Sequence, residues 1–118
     1  MNPKPSATRE PVVTNPLPNE ADARQLSGTA LAAALRDSRQ RTLALVEDLS
    51  AAQWCPPHQI GINPIAWELA HIAWFAEFWI LRGPHHRDAE GFAQAQQPPR
   101  FAGPDALFDS ARLAHARR

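Results

Sequence analysis

The stretch Asn63-Pro64-Ile65-Ala66-Trp67-Glu68-Leu69-Ala70-His71-Ile72-Ala73-Trp74-Phe75-Ala76-Glu77-Phe78-Trp79-Ile80-Leu81-Arg82-Gly83-Pro84 decides the fold. It reads as one helix over about residues 64–82 with both ends marked. Asn63 has the side chain of an N-cap, whose oxygen takes a free N–H of the first turn. Pro64 suits the first helical position, where a missing N–H costs nothing. Ile62 and Trp67 are spaced for a hydrophobic staple across that cap. At the far end Gly83 can take the left-handed conformation beyond the last turn, and Pro84 forbids continuation. Arg82 falls in the last turn, where the helix dipole favours a cation.

Between Pro64 and Leu81 the ionisable side chains are Glu68, His71 and Glu77; the rest are almost all apolar, with Trp67, Trp74, Trp79, Phe75 and Phe78 among them. A helix apolar nearly all round is either buried or membrane-spanning. Two acids and a histidine argue against a span, since each acid at the bilayer centre costs about 2.5–3.5 kcal/mol. The reading is a buried helix in an all-α bundle. At 100° per residue, Glu68, His71, Phe75 and Phe78 share one face and Glu77 points the opposite way. Ionisable groups on an aromatic-lined face need partners, because an unpaired buried charge is costly.

Outward from that helix the chain is less sharply marked. Residues 1–25 hold Pro3, Pro5, Pro11, Pro16 and Pro18 among polar residues and read as a disordered leader. Residues 26–118 form the helical domain. A first helix runs from about residue 28 to 49, with Leu31, Leu35, Leu45 and Leu49 on one stripe and Ser38 and Thr42 filling its middle. Ser50-Ala51-Ala52-Gln53 has capping-box spacing, so a short helical turn starts there, and Trp54 anchors the connection that follows. After Pro84 the pattern fades into a long loop pinned by Phe92, Phe101, Leu107 and Phe108, with a helical turn near Asp105 to Arg112. Two helices do not enclose so much apolar surface. Either the chain self-associates through the Trp-rich helix, or it is the first part of a longer domain.

The 118 residues carry 12 basic and 12 acidic side chains, a net charge of zero that disfavours a nucleic-acid binder. The lone Cys55 excludes an internal disulfide and fits a reducing compartment. With neither a signal pattern nor a membrane span, the expected location is cytoplasmic.

His71 is the leading candidate for chemistry. A neutral imidazole on a rigid helix suits a transition metal. The plainer reading is a core histidine bonded to Glu68 or to a backbone carbonyl, and on the residues alone it is favoured. Glu68, three residues earlier, is placed to partner the imidazole rather than to ligate beside it. His85 and His86 are adjacent and so point apart, which suits a solvated loop better than a metal cluster. His58 and His115 are loop residues, and Cys55 has no neighbouring base. No phosphate loop, His-Glu-x-x-His or Gly-x-Ser-x-Gly is present, so no catalytic or cofactor-binding residue is named apart from the metal candidate.

Residues 61–79 resemble the signature helix of the DinB-like domain in ergothioneine-biosynthesis sulfoxide synthases, with the branch that includes selenoneine synthases most similar. Leu107-Phe108-Asp109-Ser110-Ala111-Arg112-Leu113-Ala114-His115-Ala116-Arg117 is similar to the same family's connection toward its next helix. The resemblance covers roughly residues 30–118. It implies an incomplete DinB-like four-helix bundle and a mononuclear non-haem iron(II), O2-dependent enzyme. That enzyme joins a sulfur or selenium donor to the imidazole C2 of hercynine, the trimethylated betaine of histidine. Iron sits on three histidines, the first at the position of His71 and the others in a His-x-x-x-His pair on a later helix; a larger C-terminal domain completes the pocket. This chain has no His-x-x-x-His. The expectation is therefore an N-terminal fragment that does not hold iron and is inactive alone. Its small-molecule substrates belong to the intact enzyme, and neither nucleic acid nor membrane is a partner. The alternatives are a fragment of a DinB-like metal-dependent thiol transferase, or a non-catalytic helical interaction module.

Overall fold

The computed structural model describes residues 20–118 and is mostly helical. The sequence-based leader over 1–25 lies largely outside the described residues; within it, a helical turn, α1, covers Glu20–Ala23. The chain divides into two compact units, residues 1–47 and 48–118.

The first unit contains α2, Gly28–Ala44. It starts where the sequence indicates but stops five residues before Leu49. Its last turn tightens, with the Val46 N–H donating to the Leu43 carbonyl at 3.1 Å, and Ser50 then takes an extended conformation to open the next helix. No residue of α2 is buried. Leu31, Leu35 and Leu45, expected to form a core-facing stripe, are exposed. Thr42 donates back to the Ser38 carbonyl at 3.0 Å, and Asp37 pairs with Arg41 one turn on at 2.7 Å.

The second unit opens with α3, Ala51–Trp54, at the expected capping box: the Ser50 N–H donates to the Gln53 side chain at 2.8 Å. The Trp-rich helix follows as α4, Ile65–Ala76, and continues as a π-helical turn over Glu77–Leu81. Its start differs from the expected one. Pro64 has ψ of 142°, so it lies outside the helix at the capping position, and its carbonyl accepts the first bond from Glu68 N–H at 3.0 Å. Asn63 is one residue too early to cap the backbone and donates instead to the Glu68 carboxylate. Ile62 is exposed rather than stapled. Gly83 does not adopt the left-handed conformation; the helix runs out at Arg82, and the Gly83–Pro84 bond is cis.

Beyond Pro84 stands an antiparallel hairpin rather than a loop. Strand β1, His85–Arg87, pairs with β2, Ala93–Ala95, with His86 opposite Gln94. Asp88 closes the turn: its carboxylate accepts from Phe92 N–H at 2.8 Å, Gln94 Nε2 at 2.7 Å and Arg112 Nη2 at 2.7 Å. Gly91, at φ 87°, supplies the positive dihedral that the turn requires. Helix α5, Pro104–Phe108, then packs against α4, and a 3-10 turn covers His115–Arg117. The core of the second unit is Trp67, Trp74 and Phe78, at 8 %, 7 % and 3 % exposure.

Candidate functional site

Trp67, His71, Trp74 and Phe78 recur at spacings of four, three and four, so they stand in one stripe along α4. The ring N–H groups of Trp67, His71 and Trp74 meet α5. Trp67 Nε1 donates to the Leu107 carbonyl at 2.8 Å, His71 Nδ1 to the Phe108 carbonyl at 2.7 Å, and Trp74 Nε1 to Asp105 Oδ1 at 2.8 Å. Leu107 and Phe108 end a five-residue helix, so their carbonyls have no acceptor role within it. The α4 stripe satisfies them, and in return α5 gives each indole and imidazole the partner that burial demands.

The consequence for His71 is specific. A carbonyl oxygen only accepts, so Nδ1 carries the proton and Nε2 keeps its lone pair. The ring is half-buried and stacked on Trp67, with centroids 4.8 Å apart and planes 10° from parallel; Trp74 lies at 5.6 Å and Phe75 at 5.9 Å. An imidazole held this way, donating from one nitrogen to a carbonyl and free at the other, is chemically suited to ligate a transition metal. Of the two partners the sequence offered, Glu68 or a backbone carbonyl, the ring meets the carbonyl, and Glu68 accepts from Asn63. Arg118 joins this end of the stripe, its guanidinium 4.8 Å from the Trp67 ring centroid and 3.4 Å from Asn63 Oδ1.

The other candidates lie elsewhere. His85 Nε2 donates to the Phe78 carbonyl at 2.7 Å in the π-helical turn, and its ring lies tilted at 38° against both Phe78 and Trp79. His86 points away along the strand and is exposed. His58 and His115 approach edge-on at 5.7 Å, with His115 Nε2 buried and unpartnered. Cys55 is free and exposed. Among the described residues no group of three or more His, Cys, Asp or Glu is arranged to hold a metal. A cleft of about 230 Å³ opens between Trp74, Phe75, Phe78 and Trp79 on one side and Arg87 and Phe92 on the other. That is below the roughly 300–1,000 Å³ usual for small-molecule sites.

Sequence reasoning missed Arg82 and Asp105. Arg82 was read only as a cation for the helix dipole. It is 5 % exposed and bidentate to Asp105, at 2.7 and 2.8 Å, with Nε donating to the Gln97 carbonyl at 2.9 Å. The Arg82 hydrogen bond holds the Asp105 carboxyl below its usual range, helped by Trp74 and opposed by desolvation; the same pair raises Arg82. The available signal was a lone arginine closing an otherwise apolar helix.

A family model described as the DinB superfamily matches residues 34–117. A hercynine oxygenase of Mycobacterium tuberculosis is 43 % identical over 53 residues, which is 45 % of this chain and 12 % of that protein. A hercynine oxygenase of Mycolicibacterium thermoresistibile matches with the same identity and coverage. The matched stretch thus spans about an eighth of the length of these curated relatives. No solved structure matches. Among the described residues no helix is long and apolar enough to cross a membrane.

Proposed function

The chain belongs to the DinB superfamily, and from that premise we propose that it is the N-terminal portion of a non-haem iron(II), O2-dependent enzyme that joins a sulfur or selenium donor to hercynine. The observation that carries this reading is His71, whose Nδ1–H is committed to the Phe108 carbonyl while Nε2 keeps a free lone pair. The local identity to hercynine oxygenases supports the substrate class. Iron, when bound, would supply the chemistry that activates O2. This chain's residues would supply one ligand and its orientation. One imidazole does not make an iron site, and the described residues hold no complete ligand set, so the remaining ligands would come from further sequence and this chain alone would be inactive.

The test begins with the DNA downstream of codon 118. A continuation encoding a helix with His-x-x-x-His and a second large domain is the expected result. The complete protein should then bind iron and form a carbon–sulfur or carbon–selenium bond to hercynine, and His71→Ala should lose both. A complete reading frame without those ligands, or an active His71→Ala enzyme, would remove the reading.

A second reading is favoured by one observation: Ile72, Phe75, Trp79, Ile80 and Leu81 on α4 and its π-helical turn are exposed. Such a flank suits a helical module that pairs with another copy. It needs nothing from His71, so there His71→Ala would leave assembly unchanged.

A further inference from the structure

The carbonyl that orients His71 belongs to a helix unable to hold its own position. Helix α5 has five residues, begins at Gly103 with φ 91° and has no side-chain cap; isolated helices shorter than about 12–15 residues are marginal in water. Its placement therefore comes from what grips it. One grip is the stripe itself, through Leu107 and Phe108. The other is Asp105, one helical turn before Phe108. Asp105 Oδ1 accepts from both Trp74 Nε1 and Arg82 Nη1, and Oδ2 accepts from Arg82 Nη2. Arg82 is itself fixed, by Nε on the Gln97 carbonyl, by its own carbonyl accepting Gln97 N–H at 3.0 Å, and by the Phe78 ring 5.2 Å away.

We propose that Asp105, clamped by Arg82 and Trp74, is the positioning residue for His71: it holds α5 so that the Phe108 carbonyl meets Nδ1, and so selects the tautomer whose Nε2 can ligate. The purpose of this arrangement rests on the reading of His71 as a metal ligand; its geometry does not. A buried guanidinium needs an anion across its fork. Asn at 105 keeps the shape but does not neutralise Arg82, and it sets an NH2 donor against an Arg82 N–H where one carboxylate oxygen had accepted. With α5 loosened, the Phe108 carbonyl no longer faces Nδ1 steadily, and His71 drifts toward the Nε2–H tautomer that histidine prefers in water.

The test uses the metal-free 118-residue chain, labelled with nitrogen-15, at about pH 8.5, where a histidine of ordinary pKa is neutral. Ring proton–nitrogen correlations report which nitrogen carries the proton. Wild type should show His71 protonated at Nδ1. Asp105→Asn should lower the Nδ1–H to Nε2–H ratio by about fivefold or more, the worth of one hydrogen bond. Trp74→Phe, which removes one bond and leaves the ion pair, should lower it less, and it decides the matter if Asp105→Asn unfolds. A wild-type ring protonated at Nε2 overturns the proposal, as does a folded variant that keeps the wild-type ratio. An Nδ1–H tautomer in a complete protein that takes up no metal would instead sink the iron reading and leave the positioning role standing.

Discussion

At the scale of the residue, stability turns on Arg82. Arg82 is 5 % exposed, and Asp105 is the anion that neutralises it. Breaking a buried pair costs about 3–5 kcal/mol, because the surviving charge stays out of water. The Asp105 side chain is 43 % exposed, so screening brings the expected loss for Asp105→Ala nearer about 2 kcal/mol. Replacing both partners, as in Arg82→Met with Asp105→Leu, should cost less than Asp105→Ala alone. Urea midpoints of the two variants decide the order. The same pair predicts a pH dependence. Asp105 is held below the usual carboxylate range, chiefly by its bond from Arg82, and Asp88 chiefly by its bond from Gln94. A carboxylate whose folded pKa is depressed contributes stability above the unfolded value, and that contribution drains away as pH falls through the folded value. The midpoint should therefore change little with pH near neutrality and fall below about pH 4. In Asp105→Asn the acid limb should be shallower. A midpoint that rises on acidification would refute the assignment.

At the scale of the element, α4 organises the second unit, and α5 is legible only against it. Gly103 shows how local the control is. It opens α5 at φ 91°, and a Cβ there would meet nothing within 4 Å, so Gly103→Ala is a pure test of backbone strain, with an expected loss of about 1 kcal/mol. Phe78→Ala, at the least exposed core position, should cost about 3–5 kcal/mol by the same denaturation measurement. The presence and composition of α4 could be read from Pro64, Pro84 and the aromatic run between them. Its caps could not: Asn63 lies one residue before the cap, so its amide donates to Glu68 instead of its oxygen accepting a backbone N–H, and Gly83 was not needed in the left-handed region. The hairpin was illegible because three-residue strands leave no alternation to detect, and its turn depends on Asp88 collecting donors from Phe92, Gln94 and Arg112. His71 could be singled out as a residue from its place on the helix, but its partner is a main-chain carbonyl 37 positions away. Every residue has a carbonyl, so no pattern in the chain marks that one.

At the scale of the whole molecule, burial is unfinished. Within residues 48–118 the core reduces to Trp67, Trp74 and Phe78, while Ile72, Phe75, Trp79, Ile80 and Leu81 stand in solvent along one helix and its π-helical turn. Domains of this size bury a smaller share of their surface than larger ones and depend on partners or further chain to cover the rest. The same exposed flank is compatible with either source of cover, so association of the chain by itself separates them. If α4 pairs with a second copy, the sedimentation coefficient should rise with concentration up to about 100 µM, far above a micromolar Kd. Ile72→Glu with Ile80→Glu should abolish that rise. Ile80 is 73 % exposed, and charges placed in solvent at such positions should change the unfolding free energy by no more than about 0.5 kcal/mol each. The charged variant thus tests the flank without testing the fold. A wild-type chain that stays monomeric throughout would leave the flank to be covered by further sequence of the same protein, as the iron-enzyme reading requires. A chain whose association survives both charges would place the contact on another surface.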